Sequence, residues 1–327
     1  MCKINDVAEM SRLISNKSTQ IDKLELKKMF IIVMASVPDP SEKEKELALK
    51  ELEKDFDKRN LSKIVENNVV RINKQEFFNL MNVNLKKNKT AYETYKNLFN
   101  ELVKSSHYTF DDGEDFISGH FIINAYTRKN MRTFNITLDP AYMPVFWHLK
   151  GGYVKLLTED IVGFDSKYTM DLYKFIMSHT NKKEITFTTK QLKDLFGLSK
   201  DDYVSKKGRF ERKRFEERTI DRALKEIEKK CKTITLIKQP NEKNQLENYS
   251  KIKENGKVKY YKITYIVTDP YQVINQEKQA QTTIDDFISE QEFPRSRTKP
   301  GRLQRSRHIQ LQRIEEINQN LYNWLEE

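Results

Sequence analysis

Cysteine is nearly missing from this chain. Cys2 and Cys231 are the only two among 327 residues, too few for a disulfide framework or a thiolate zinc site, and a reducing compartment follows. Glycine is scarce as well, at nine residues. Neither G-x-x-x-x-G-K-[ST] nor G-x-G-x-x-G occurs, so no phosphate-cradling loop is indicated. The five histidines, His107, His120, His148, His179 and His308, are scattered without an H-x-H or H-E-x-x-H pairing. That disfavours a metal site, and also a rolling-circle nicking enzyme, which needs paired histidines and a nucleophilic tyrosine. No apolar run approaches the length of about 18 residues that marks a membrane span, and the N-terminal stretch lacks a signal-peptide core. A soluble cytoplasmic protein without a membrane partner is expected, with no catalytic residue, no metal ligand and no cofactor.

Charge is what the chain has in quantity. A third of its residues are charged and the net charge is +11, a balance that favours a polyanionic partner, nucleic acid ahead of membrane. Apolar content of 37% supplies modest cores, and the length suits two domains of ordinary size.

The basic residues concentrate in one stretch, Gly208 to Lys232, GRFERKRFEERTIDRALKEIEKKCK. At 100° per residue Ile220, Ala223, Leu224 and Ile227 form an apolar stripe, while Arg214, Arg218, Arg222, Lys225 and Lys229 fall opposite. One face packs on a domain and the other presents a cationic ridge. Before it, Thr188 and Thr189 offer an N-cap, Gln191 to Phe196 reads as a short helix with Leu192, Leu195 and Phe196 inward, and Gly197 suits the C′ position. After it, Thr233 to Lys238 and Lys257 to Thr268 read as two strands of a hairpin around a turn-rich loop containing Asn255-Gly256. Helix, turn, helix, hairpin is the order of a winged helix. The competing reading is a solvated helix whose Glu211, Glu216, Glu217 and Asp221 balance the lysines and arginines at i,i+4 spacing.

Taken in order, residues 1–20 are polar and without sustained period, a mobile arm. Ile21 to Val37 reads as a buried helix stopped by Pro38 and Pro40. Ser41 to Asn60 is a charged helix with Leu49, Leu52 and Phe56 on one side, placed to pack on its own domain or on a second protomer. A strand at Val69 to Ile72, a helix at Lys74 to Met81 and a second helix from Lys89 to Lys104 follow, the last with Ala91, Tyr95, Leu98, Phe99 and Leu102 inward. His107 to Phe110 and Phe116 to Tyr126 flank an acidic turn, Asp111 to Asp115, read as a solvated hairpin tip rather than a cation site, and Arg132 to Leu138 alternates as a further strand. Asp139-Pro140, Pro144 and Gly151-Gly152 punctuate the crossing to Phe164 to His179, a helix that mirrors Ile21 to Val37. The element order repeats although the sequence does not, which predicts an internal structural duplication. The expected fold is therefore α+β: tandem winged-helix domains at 21–152 and 153–272, between the arm and a linker with a flexible basic tail at 273–327. In that tail Arg295 to Arg313 holds seven basic residues and no acidic one. Ile314, Ile317, Leu321, Trp324 and Leu325 beyond it recur at helical spacing.

FDSKYTMDLYKFIMSH, FTTKQLKDLFGL and RFEERTIDRALKEI, in that order, resemble the second winged-helix domain of the initiator replication proteins of theta-replicating iteron plasmids. The matching positions are Ser166-Lys167-Tyr168, Leu172-Tyr173, Leu192-Lys193, Leu195 with Gly197, Tyr203, and Ala223 to Ile227. VVRINKQEFFNLMNVNLKKNKTAYETYKNLFNELV is similar to the first domain of Gram-positive members, and the likeness spans about Ile21 to Pro270. The resemblance implies a non-enzymatic initiator that binds repeated origin sequences, helps melt an adjacent AT-rich region, and recruits host replication proteins such as the DnaA initiator and the helicase machinery. It also implies, for some members, a homodimer that represses its own promoter. The insertion at Ser41 to Asn60 and the tail after Pro294 have no counterpart in the shared pattern.

On double-stranded DNA, Arg214, Arg218 and Arg222 are the candidates for base-edge and phosphate contact, since arginine bonds guanine in bidentate fashion. Arg209, Arg212 and Lys213 lie near the helix start and suit backbone phosphates. From the first domain the candidates are Asn88, Lys89, Thr90, Glu93, Lys96 and Asn97. A dimeric transcriptional repressor built from the same domains and a DNA-bridging or partition adaptor are the alternatives.

Overall fold

The computed structural model describes residues 7–11, 21–54, 63–83, 90–111, 116–128, 130–143, 147, 153–241 and 244–290. Strand β1 (Val7–Ser11) comes first, with Val7 and Ala8 buried, so part of the expected mobile arm is ordered sheet. Helix α1 (Leu24–Ala35) buries nearly every residue from Leu26 onward, as an apolar FIIVMA run requires. Helix α2 (Glu42–Leu52) opens on a capping box in which Ser41 and Glu44 satisfy each other's backbone N–H. Of the expected stripe of Leu49, Leu52 and Phe56, Leu49 is exposed. Ala48 and Glu44 are the buried positions, Leu47 and Leu49 face solvent, and the Leu52 side chain and Phe56 lie outside the described residues.

The first winged-helix half comprises β2 (Val69–Asn73), α3 (Lys74–Leu80), α4 (Ala91–Ser105), β3 (His107–Asp111), β4 (Phe116–His120), β5 (Ile122–Tyr126) and β6 (Thr133–Leu138). Strands β2, β6 and β5 form one antiparallel sheet in that order, and β3 pairs with β4. Phe134, Ile136 and Leu138 alternate inward along β6, where Phe134 meets the rings of Phe77, Phe78 and Phe99. Residues 112–115 of the acidic turn are outside the description.

The second half comprises β7 (Tyr153–Leu157), α5 (Thr158–Gly163), α6 (Lys167–Met177), β8 (Glu184–Thr188), α7 (Thr189–Leu195), α8 (Arg212–Arg218) and α9 (Ile220–Lys230). Then come β9 (Ile234–Leu236), β10 (Gln239–Pro240), β11 (Leu246–Glu247), β12 (Ser250–Glu254), β13 (Lys257–Val267) and α10 (Pro270–Glu290). The hairpin that turns at Asn255-Gly256 joins β12 to β13; both turn residues have positive φ, 50° and 72°, as a two-residue primed turn demands. Strand β8 lines the other side of β13, and β9 pairs only with its far end, so the wing is larger than two strands. The expected linker after residue 272 is helical through Glu290, and the basic segment beyond it lies outside the described residues.

Duplication is visible down to single hydrogen bonds. In each half a five-residue strand ends on the residue that caps a seven-residue helix, Asn73 for α3 and Thr188 for α7. Each helix then closes with the same pair of bonds, Val83 N to Phe78 O and Asn82 N to Asn79 O in one, Leu198 N to Lys193 O and Gly197 N to Asp194 O in the other. That closure needs a left-handed residue, supplied by Asn82 at φ 55° and by Gly197 at φ 62°. The same backbone device is thus written with different side chains, which is why residue identity hides the repeat.

The two halves are joined rather than strung. β1 pairs antiparallel with β7, Val7 opposite Leu157 through Ser11 opposite Tyr153. Lys27 of α1 donates to both carboxylate oxygens of Asp171 on α6 at 2.7 Å, and Lys28 donates to the Val162 carbonyl at 2.7 Å. Lys167 reaches Asp22 at 2.7 Å. Residues up to Gln276 accordingly form one unit, with a single buried apolar cluster running through both halves.

Candidate nucleic-acid interface

The basic stretch folds as two helices instead of one. Thr219 ends α8 and begins α9 with φ −115° and ψ −86°, outside the helical region. Its hydroxyl donates to the Phe215 carbonyl at 2.7 Å, a local bond that competes with the helix ladder. Hydrophobic spacing alone cannot register such a break, because Phe215 before it and Ile220, Ala223, Leu224 and Ile227 after it are all buried on the same core.

Most acidic residues of this region bond partners outside their own helices. Glu216 is buried and accepts from Tyr261 Oη at 2.9 Å and from Lys251 Nζ at 2.8 Å, both on the wing. Asp221 accepts from Tyr249 Oη at 2.8 Å, and Glu228 accepts from Asn248 Nδ2 at 2.8 Å and pairs with Lys238 at 2.6 Å. Glu226 takes the backbone N–H of Asp165 and the hydroxyl of Thr169 at the start of α6. Burial first, and then the facing carboxylates, push the Tyr261 and Tyr249 phenols well above their ordinary value, so both remain donors. Of the four acids expected to pair within their helices, Glu211, at 2.9 Å from Arg214, and Glu217, at 3.8 Å from Lys213, do so, and Glu226 adds an i,i+4 pair with Lys230 at 3.0 Å.

Turning the acids sideways leaves the cations facing outward. Arg209, Arg218, Arg222, Lys225 and Lys229 are exposed, and among the described residues none has a carboxylate within 4 Å. The Lys213 side chain is 89% exposed. Arg222 lies near enough to Asp165 to help Lys230, the main cause, hold that carboxyl below its usual range. Arg212 departs from expectation: it is half-buried, its Nε is shielded without a partner, and its charge acts on Tyr261. Its partial burial sets it apart from the open ridge.

In the first half, Glu93, Lys96 and Asn97 are exposed on α4, with Glu93 and Lys96 paired at 3.4 Å. Thr90 is the N-cap residue of that helix, where its carbonyl accepts from Thr94 N at 3.0 Å. Asn88 and Lys89 fall outside the described residues. Tyr92 is half-buried beneath Lys74, whose Nζ stands 4.8 Å from the ring centroid. Three further exposed cations, Lys200, Lys206 and Lys207, border the ridge in the α7–α8 loop. The KKGR run was the signal for Lys206 and Lys207, and helical periodicity passes over it because the loop has no period.

A buried carboxylate fixes the far end of α9. Asp160 on α5 accepts from Lys232 N at 2.9 Å, Thr233 N at 3.3 Å and Thr233 Oγ1 at 2.8 Å, with Cys231 Sγ at 3.2 Å. Burial raises the Asp160 carboxyl in spite of these bonds. Burial and then the Asp160 charge push the Cys231 thiol up to about 12. A Cys2→Ser variant is therefore expected to react with a thiol reagent near pH 8 about 100-fold slower than a free cysteine does, with full speed returning in denaturant. Labelling at the free rate in the folded protein would contradict this placement.

With this geometry in hand, likeness to known proteins is informative. No curated protein matches the chain. The crystal structure of the Pi initiator protein in complex with iteron DNA is similar at a TM-score of 0.55, with 14% identity, over 82% of this chain and 99% of that one. This likeness is one of fold, and it matches the tandem winged-helix arrangement described above. The family model of the initiator replication proteins, described as their WH1 region, matches residues 6–177, from just before β1 to the end of α6. That match extends over more than half of the sequence, and the chain belongs to the initiator replication protein family.

Proposed function

We propose that this protein is a cytoplasmic, non-enzymatic plasmid replication initiator that binds direct repeats at its origin through both winged-helix halves. In this reading α8 and α9 enter one major groove and α4 enters the next, about one helical turn away on the same face of the duplex. Repeats of about two turns, roughly 20 base pairs, follow from that geometry. The observation that carries the reading is the outward ridge of Arg218, Arg222, Lys225 and Lys229, left without carboxylate partners among the described residues because the acids between them bond the wing and α6. Family membership supports an origin as the target. Opening of an AT-rich flank, recruitment of the DnaA initiator and the helicase machinery, and autorepression complete the proposal.

Footprinting on the DNA that flanks the protein's own gene tests it. Protection of several direct repeats beside an AT-rich segment is expected. Protection of one inverted repeat over a promoter, and of nothing else, would identify a repressor and overturn the initiator reading.

A further inference from the structure

The segment between α7 and α8 is too ordered for a mere connector. Lys193 places its ammonium 2.7 Å from the Asp202 carbonyl, 2.9 Å from that of Lys200 and 3.3 Å from that of Ser199, so its three donors serve three carbonyls of one loop. Ser199 N donates to the Asp202 carboxylate at 2.6 Å, and Asp202 N donates back to Ser199 Oγ at 3.2 Å. Val204 bridges Phe210, Ser205 N donates to Arg209 O at 2.8 Å, and Gly208 makes the reversal at φ 72°.

Tyr203 is the unusual residue. It stands at φ 61°, a left-handed conformation in which a bulky aromatic persists only when its surroundings over-determine it. Those surroundings are present: its ring meets Phe215 of α8 edge-on at 5.5 Å, and its carbonyl accepts from Glu211 N at 2.7 Å. Phe210 packs on the same Phe215 ring at 5.5 Å. The loop is thus clamped to the underside of the helix that carries Lys213 and Arg218. Its own cations, Lys200, Lys206, Lys207 and Arg209, are exposed, while Asp202 is tied inside the loop and Asp201 is its one exposed acid.

We infer that residues 199–210 form a preorganised phosphate-binding loop in which Lys206, Lys207 and Arg209 hold the DNA backbone beside the groove entered by α8 and α9. This rests on the DNA-binding reading above. Lysines on a slack loop lose much of their binding energy to ordering; here the three carbonyl bonds of Lys193 and the aromatic clamp have already fixed the backbone. Contacts of this kind carry no base information, so they position the protein and set its salt dependence. Lys193 is a positioning residue and touches no DNA.

The test is a fluorescence anisotropy titration of the full chain over a series of salt concentrations, on a duplex carrying one direct repeat and on a scrambled duplex. For Lys206→Ala/Lys207→Ala/Arg209→Ala, the slope of log affinity against log salt should shrink by about 0.9 for each phosphate no longer neutralised, or about 2 to 3 in all. Affinity near physiological salt should fall about 5-fold for each such phosphate, equally on both duplexes, with the thermal midpoint unmoved. Lys193→Met retains every exposed cation of the loop and should still shrink the slope. A triple variant with the wild-type slope, or a loss confined to the repeat duplex, overturns the proposal. Wild-type protein that prefers neither duplex would sink the initiator reading instead, and the slope comparison on nonspecific DNA would still decide the role of the loop.

Discussion

Replacing Lys27 by methionine is expected to lower the unfolding free energy by roughly 3 to 5 kcal/mol, the usual cost of removing one member of a buried ion pair. The Lys27 and Asp171 side chains are only 13% and 7% exposed, and the ammonium bonds both carboxylate oxygens. Without it Asp171 retains, among the described residues, only Lys174, 3.6 Å away. Because α1 belongs to the first half and α6 to the second, the pair also helps fix how one winged helix stands against the other. Lys27→Met/Asp171→Leu should recover most of the loss, since two apolar side chains leave no buried charge behind. Denaturant titration of the three proteins checks this. A single-variant loss below about 1 kcal/mol would place the pair among solvent-screened bridges and remove it from the account of how the halves are joined.

Arg218→Ala is expected to behave in the opposite way: a 10- to 100-fold loss of specific DNA affinity, roughly 1 to 3 kcal/mol for one bidentate base contact, with an unchanged thermal midpoint. Arg218 is exposed on α8 and has no carboxylate partner among the described residues. Its removal leaves no buried group unsatisfied. Arg214→Ala should cost less, because Arg214 must first leave Glu211. Arg212→Ala should show the reverse signature, destabilising the fold through the Tyr261 and Glu216 network before it affects DNA. Competition binding against scrambled duplex, alongside thermal melts, separates these cases. A large fall in melting temperature for Arg218→Ala, with unaltered affinity per folded molecule, would contradict its assigned place on the interface.

Much of the fold was legible because its signals are periodic or local. The stripe Ile220, Ala223, Leu224 and Ile227, the cap at Thr188 and the left-handed Gly197 each announce themselves within a few residues, and each is where the sequence puts it. Features that depend on distant partners were not legible. β1 is a strand because β7, from the other half of the chain, lies across from it, and nothing in VAEMS demands that pairing. Glu216 and Asp221 sit at good spacing for lysines and arginines on their own helix, yet tyrosines of the wing claim them. A buried hydroxyl-to-carboxylate bond outweighs a solvent-screened ion pair of a few tenths of a kcal/mol. Arg212, one residue before the open Lys213, is half-buried, and spacing alone does not separate the two. The basic ridge was therefore readable as a class of residues, while which of its cations lack a carboxylate neighbour depends on the tertiary partners of the acids.

The central claim, that one copy of the chain reads one direct repeat, is tested most directly by a gel-shift titration at physiological salt. Flanking DNA of the protein's own gene would be set against scrambled competitor, with protein-per-repeat stoichiometry taken from the bands. A ladder of discrete complexes that adds one monomer per repeat and survives competitor is the expected result. Equal binding to the scrambled DNA would mean that the basic faces act through charge alone, and would contradict the claim.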